Sequence, residues 1–211
     1  MKKYFVLIVV SLILTLSTFG MESGEYMFKI LNEEAATETV AFSEESNDII
    51  GFESLTNLHF QMQQAVYETK GHIEDNTIVD YQLSLFFNDN EVIIHCSLNE
   101  DILSYTANNI SNDIQVEQPL LILDNNLAWS WQLVYNLYRF SGYETINVFV
   151  PQLLLRDFTD ILKLEIQKTT ESEGHTNVFF SYNDQSGMLK VDENDQVIQL
   201  LMGGTMMERT K

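Results

Sequence analysis

Hydrophobic and polar residues alternate with a period of two along most of the chain that follows residue 20. The clearest case is segment 78–87, where one face carries Tyr81, Leu83, Leu85 and Phe87. Such alternation is typical of β-strands with one buried face, because successive side chains of a strand point to opposite sides. Asparagine, aspartate, glutamate and glycine separate the alternating segments and favour tight turns. The pattern therefore predicts antiparallel strands joined by hairpins.

Four pairs of alternating segments predict β-hairpins. They are 26–30 with 36–42, 78–87 with 92–98, 162–166 with 176–182, and 188–191 with 197–202. In segment 92–98, Cys96 lies on the apolar face and His95 on the opposite face, which predicts that Cys96 is a small buried hydrophobic residue. Because Cys96 is the only cysteine, no internal disulfide can form.

Segment 50–62 keeps the same alternation for thirteen positions, whereas strands usually span about 5 to 6 residues. A strand of that length has to twist and bend with its sheet, as in barrels. The alternative is two strands with a break near residues 61–64. These patterns predict a mainly β fold in which a strongly curved antiparallel sheet forms a half-barrel or open barrel.

Segment 127–140 has the pattern of a helix. Asp124 and the two asparagines after it could accept the amide hydrogens of a first helical turn, and Gly142 suits the helix exit. Apolar and aromatic residues surround most of the predicted helix, so it requires burial on more than one side. We expect it to pack on or in the curved sheet, where Trp129 and Trp131 either line a ligand cavity or fill the core.

Residues 1–20 are predicted to be a signal peptide, and residues 21–211 a single β-rich domain. Lys2 and Lys3 precede a short apolar run that ends in small and polar residues up to Gly20. The alternative is an anchor helix that is retained, since the apolar run approaches the roughly 20 residues of a membrane span. Cleavage predicts a periplasmic or extracellular protein without an integral membrane span.

The chain is strongly acidic. Its formal net charge is -20, and removal of Lys2 and Lys3, with no acidic residue in the first twenty, changes this to -22. A negative field repels phosphate backbones and anionic lipid head groups, so we expect no nucleic-acid partner and no electrostatic membrane binding.

No catalytic or metal-binding motif is recognisable in the sequence. Ser130 lacks the flanking glycines of a nucleophile elbow, and the four histidines are isolated from one another. The acidic turns lack the ligand spacing of a helix-loop-helix calcium site. We therefore expect a non-enzymatic protein with no catalytic residues, no metal site and no cofactor.

The chain resembles exported bacterial proteins of the lipoprotein-carrier type from residue 24 to residue 207. The matching features are the opening strand Gly24-Glu25-Tyr26-Met27-Phe28, the long strand 50–62, the turn Leu123-Asp124-Asn125-Asn126, the strand end Val150-Pro151-Gln152, and the closing hairpin from Val191-Asp192 to Val197. The resemblance implies a signal peptide followed by a strongly bent antiparallel sheet that holds lipid or acyl chains against helices.

The leading functional prediction is a protein that binds a lipid, an acyl chain or another apolar ligand in a groove of the curved sheet. The residues predicted to line this groove are Trp129, Trp131, Tyr135, Phe60 and Phe86. One alternative is a solid-core interaction module that docks another envelope protein. A further alternative is an outer-membrane β-barrel, which the Lys, Glu, Gln and Asn residues on the second strand face disfavour.

Overall fold

The computed structural model describes residues 21–46, 48–60, 63–87, 90–107, 110–124, 127–156 and 158–211, apart from the side chains of Phe60 and Gln63. The predicted signal peptide lies outside these ranges. Among the residues described, no helix is both long and apolar enough to cross a bilayer.

The described residues form fifteen strands, one α-helix and one 3-10 helix. The strands are β1 (Gly24–Ile30), β2 (Glu33–Glu44), β3 (Ile49–Phe60), β4 (Gln63–Glu74), β5 (Thr77–Phe87), β6 (Asn90–Asn99), β7 (Ile102–Ala107), β8 (Ile110–Gln115), β9 (Leu120–Ile122), β10 (Thr145–Phe149), β11 (Leu162–Ser172), β12 (His175–Tyr182), β13 (Gln185–Val191), β14 (Val197–Met202) and β15 (Thr205–Arg209). The helix α1 spans Ser130–Ser141, and the 3-10 helix spans Pro151–Arg156.

All fifteen strands belong to one open sheet. Its order is β8-β7-β6-β5-β4-β3-β2-β1-β15-β14-β13-β12-β11-β10-β9. Neighbouring strands are antiparallel except β9 and β10, which are parallel. The last strand, β15, pairs with β1 and joins the two runs of hairpins. The prediction of a mainly β fold with an open, largely antiparallel sheet and one helix is confirmed.

The four predicted hairpins correspond to β1–β2, β5–β6, β11–β12 and β13–β14. Cys96 is buried and His95 is exposed, as the alternation in β6 predicts. Strands β7, β8 and β15 were not predicted. Edge strand β8 is mostly exposed and polar, so it has little of the alternation that identifies a half-buried strand.

Of the long segment 50–62, residues 50–60 belong to β3, and β4 begins at Gln63, which agrees with the alternative of two strands with a break near residues 61–64. Strand β3 ends at Phe60, and β4 returns beside it from Gln63 with Phe60 opposite Gln63. Met62 lies outside the described residues. The alternation changes phase between the two strands, since Leu58 of β3 lies opposite Ala65 of β4 on the same face.

The start of α1 differs from the prediction, because a distant strand supplies the hydrogen-bond acceptor. Trp129 precedes the helix and makes no side-chain capping bond. Asp124, predicted as part of a capping cluster, instead accepts a hydrogen bond from the Tyr81 hydroxyl on β5. The Ala128 N–H donates to the carboxyl group of Glu38 on β2. Asn125 and Asn126 lie outside the described residues.

The predicted exit of α1 at Gly142 is confirmed. Gly142 has a left-handed backbone, with φ of 75°, and its N–H donates to the carbonyl oxygen of Tyr138. Glycine adopts this conformation without the steric cost that a Cβ atom imposes.

The sheet wraps around α1. Trp129, just before the helix, packs against Phe52 of β3 with ring centroids 4.6 Å apart, and Trp131 packs against Phe180 of β12 at 5.1 Å. Strands β3 and β12 are far apart in the strand order, so contact with two tryptophans that are two positions apart in the chain requires a curved sheet. We call the sheet face toward α1 the inner face and the opposite face the outer face.

Candidate functional site

The two tryptophans predicted to line a groove are core residues in the structure. Trp129 is 1% exposed and Trp131 is 0% exposed. The Trp129 ring contacts Phe42 and Phe52, and neither indole N–H has a hydrogen-bond partner among the described residues. Each indole therefore stabilises the interior through its apolar area and ring contacts.

The other three predicted groove residues lie apart from one another. Tyr135 is buried in α1, and its hydroxyl donates to the carboxylate of Asp195 in the turn between β13 and β14. Phe86 lies on the outer face of β5 and is 37% exposed. The side chain of Phe60 lies outside the described residues. The structure does not bring Trp129, Tyr135 and Phe86 together around one cavity, and ligand binding by the five residues stays a prediction.

An apolar pocket of about 230 Å³ lies on the inner face of β3–β6, and we call it the apolar pocket. Its lining residues are Leu58, Ala65, Tyr67, Leu85, Phe87, Asn90 and Val92. The strand registers place Leu58 beside Ala65, Tyr67 beside Leu85, and Leu85 beside Val92. The pocket is therefore built on neighbouring strands rather than on loops.

The apolar pocket lies where the inner-face side chains of β3 and β5 become more exposed toward one end of these strands. Along β3, Phe52 and Thr56 are buried, whereas Leu58 is half-buried. On β5, Leu83 is fully buried, and Phe87 is 39% exposed. Among the residues that the structure describes, this end of the inner face therefore presents partly exposed apolar side chains.

Buried polar groups lie between α1 and the apolar pocket. Glu38 is directly opposite Thr56, which is opposite Tyr67 of the pocket wall. Both Glu38 oxygens accept hydrogen bonds of 2.7 Å, one from the Ser54 hydroxyl and one from the Ala128 N–H. Burial raises the pKa of Glu38 to about 8, the two hydrogen bonds oppose the rise, and the charge of Asp124 adds to it.

Asp124 influences the tyrosines on both sides of this polar region. Burial raises the pKa of the Tyr81 hydroxyl, and the adjacent Asp124 carboxylate raises it further. Burial also raises the pKa of Tyr67, with a second contribution from the charge of Asp124. Asp124 therefore contributes to the raised pKa of one residue that lines the apolar pocket.

A polar groove crosses the outer face of β2–β5. Two adjoining cavities of about 530 and 340 Å³ share Ala41, Glu53, Lys70 and Gln82 in their linings. At one end, His72 contacts Glu45 through Nε2 at 3.1 Å and Asp80 through Nδ1 at 3.4 Å. These groups are partly exposed, so any electrostatic interaction between them is screened by water and salt.

No family model matches the chain, and no curated protein sequence is significantly similar to it. The chain is similar in structure to a β-barrel-like protein of the domain of unknown function DUF1849 from Brucella abortus. That match has a TM-score of 0.48 and 12% identity, and covers 90% of this chain and 95% of that one. A DUF1089 family protein from Pseudomonas aeruginosa also matches, with a TM-score of 0.48 and 11% identity over 76% of this chain and 87% of that one.

Most residues that line the apolar pocket were not among the predicted groove residues, although several of them belong to the alternating apolar rows of the sequence. Leu85 and Phe87 belong to the apolar row of β5 that predicted the strand, and Leu58 belongs to the row of β3. Phe86, a predicted groove residue, points away from that row and lies on the outer face. The described residues contain no cluster of three or more potential metal ligands. The chemistry that the apolar pocket offers is reversible binding of apolar groups.

Proposed function

We propose that this chain is an exported, non-enzymatic protein of the periplasm or extracellular space that binds a lipid, an acyl chain or a similar apolar ligand in the apolar pocket. The observation that carries the proposal is the partly exposed, apolar end of the inner face, where Leu58, Tyr67, Leu85 and Phe87 surround a cavity. The basic and apolar sequence before residue 21 supports export.

The shape and lining of the apolar pocket favour a slender ligand. Pockets for drug-sized molecules occupy roughly 300–1,000 Å³, and the apolar pocket has about 230 Å³. A single alkyl chain suits this volume better than a fused ring system. Transfer of such a chain from water gains about 25 cal/mol for each Å² of apolar surface removed from solvent.

Isothermal titration calorimetry of residues 21–211 with 1-decanol tests the proposal. This alcohol is an uncharged single-chain ligand, and its alkyl chain is expected to enter the apolar pocket and bind with saturation. Phe87→Ser removes an apolar side chain from the lining and is expected to weaken binding by about fivefold or more, or roughly 1 kcal/mol.

The matched control is Phe86→Ser. Phe86 and Phe87 are adjacent and almost equally exposed, but only Phe87 lines the apolar pocket. Phe86→Ser is therefore expected to leave the affinity for 1-decanol unchanged. Absence of saturable binding by the wild-type chain, or equal losses in the two variants, would contradict the proposal.

A second candidate function is a protein-interaction module whose solid core supports an exposed binding surface. The burial of both tryptophans favours it, together with the exposed Leu55, Phe86 and Ile93 on the outer face of β3, β5 and β6. Ile93 lies opposite Ser84, and Phe86 opposite Glu91, so the two apolar residues are diagonal neighbours. Capture of envelope proteins by the wild-type chain and their loss with Phe86→Ser, but not with Phe87→Ser, would support this function.

A further inference from the structure

The strands that form the apolar pocket carry almost no positive charge. Between residues 49 and 99, Lys70 is the only lysine, there is no arginine, and seven residues are acidic. Lys70 is exposed and lies opposite Glu53 and Gln82 on the outer face. The histidines of these strands also alternate onto the outer face, and they are His59, His72 and His95. No basic side chain of this segment reaches the inner face.

Two buried carboxyl groups lie behind the wall of the apolar pocket. Glu38 is in the same cross-strand row as Tyr67 and Leu85, and two strand spacings place its backbone about 10 Å from that of Tyr67. Asp124 is fully buried, and its charge contributes to the raised pKa of Tyr67. Because burial raises the pKa of Glu38 to about 8, Glu38 is largely protonated near neutral pH, and Asp124 supplies the buried charge. Charges in a protein interior are screened less than charges at the surface.

The described residues that line this pocket offer no basic side chain to an anionic head group. Carboxylates and phosphates in proteins are held by arginine, lysine or converging backbone N–H groups, and none of the lining residues is basic. A cationic head group at the mouth instead lies in the negative field of Asp124 and of the acidic chain as a whole.

We infer that the apolar pocket selects single-chain amphiphiles with a cationic head group over those with an anionic head group, an inference that rests on the proposed function. The alkyl chain contacts Leu58, Leu85 and Phe87, and the head group lies at the exposed Asn90 end. The selection comes from charge, because both kinds of ligand share the same apolar tail.

Calorimetry with decylamine and decanoate near neutral pH tests the inference, with 1-decanol as the uncharged reference. Decylamine is expected to bind about tenfold or more tightly than decanoate. The titrations are repeated at high salt, which suppresses binding to surface charges. Butylamine has the same charge as decylamine without the long tail, and it is expected not to bind.

A lysine introduced at the mouth of the apolar pocket tests whether the selection by charge acts there. Asn90→Lys adds one positive charge beside the apolar pocket, and Ser97→Lys adds the same charge to an exposed outer-face position of the same strand. Asn90→Lys is expected to strengthen decanoate binding about fivefold or more, whereas Ser97→Lys leaves it nearly unchanged.

The outcomes separate this inference from the proposed function. If 1-decanol binds but decanoate binds as tightly as decylamine, the inference is wrong and the proposed function stands. Equal binding of butylamine and decylamine would also overturn the inference, since it would reveal ion pairing without the pocket. If none of the three ten-carbon compounds binds, both are wrong.

Discussion

The Ala128 N–H donates a hydrogen bond of 2.7 Å to the carboxyl group of Glu38, joining the residues just before α1 to strand β2. The second carboxyl oxygen accepts a bond from the Ser54 hydroxyl on β3. One buried side chain therefore connects two strands to the start of the helix.

Glu38→Gln is expected to change how stability depends on pH. Because burial raises the pKa of Glu38 from 4.5 to about 8, the folded state retains a proton that the unfolded state releases between these values. The contribution of Glu38 to the free energy of unfolding therefore falls as pH rises from about 4.5 to about 8 and then levels off. The free energy of unfolding of Glu38→Gln minus that of the wild type should therefore be larger above pH 8 than at pH 5, by an amount on the order of a few kcal/mol.

Urea unfolding of wild type and variant at about pH 5, 7 and 9 measures this change. The decisive quantity is the difference between the two free energies of unfolding, because other acidic groups affect both chains equally. Glu44→Gln, at an exposed position of the same strand, is the control and should alter stability by no more than about 0.5 kcal/mol. A Glu38→Gln difference that stays constant with pH would show that Glu38 is ionised in the folded state throughout.

Gly187→Ala is expected to destabilise the sheet by about 1–3 kcal/mol. A Cβ atom at position 187 would lie 2.2 Å from Cζ of Phe180, the residue directly opposite on β12. The Phe180 ring could move only by disturbing its contact with Trp131. Thermal unfolding measures the loss, with Ser186→Ala at the exposed neighbouring position as the control. Equal stabilities of the two variants would contradict this packing.

Cys96 is expected to resist thiol reagents in the folded protein. Burial raises the pKa of its thiol, and the charges of Asp124 and Asp80 raise it further, so the reactive thiolate is scarce. Labelling with a disulfide reagent should be slow in buffer and fast in urea. As a positive control, Ser97→Cys in a Cys96→Ala background places the thiol on the exposed face and should react at once. Rapid labelling of the native wild-type chain would contradict burial.

Tryptophan fluorescence tests whether the indoles contact the ligand. Both indoles are buried against protein rings, so their emission should be blue-shifted and weakly quenched by acrylamide. Saturating 1-decanol should leave the emission maximum unchanged, because the apolar pocket is lined by other residues. A shift on binding would favour the sequence-based prediction that Trp129 and Trp131 line the groove.

Local patterns predicted most of the strands because a strand with one buried face repeats every two residues. The alternation identified the hairpin β5–β6, the buried position of Cys96 and the exit of α1 at Gly142. It could not predict β8, since an exposed edge strand has no reason to alternate. It also left open whether segment 50–62 is one strand or two strands with a break near residues 61–64, because the pairing of β3 with β4 decides this.

The sequence by itself determined the β-rich character of the chain, its negative charge and the aromatic content of its helix, because these depend on composition and local periodicity. Only the tertiary structure decided that Trp129 and Trp131 fill the core and that Leu58, Tyr67, Leu85 and Phe87 line a cavity. Glu38 reached Ala128 across 90 positions of the chain. A contact at that separation depends on how the sheet curves, and it cannot be predicted from a local sequence pattern.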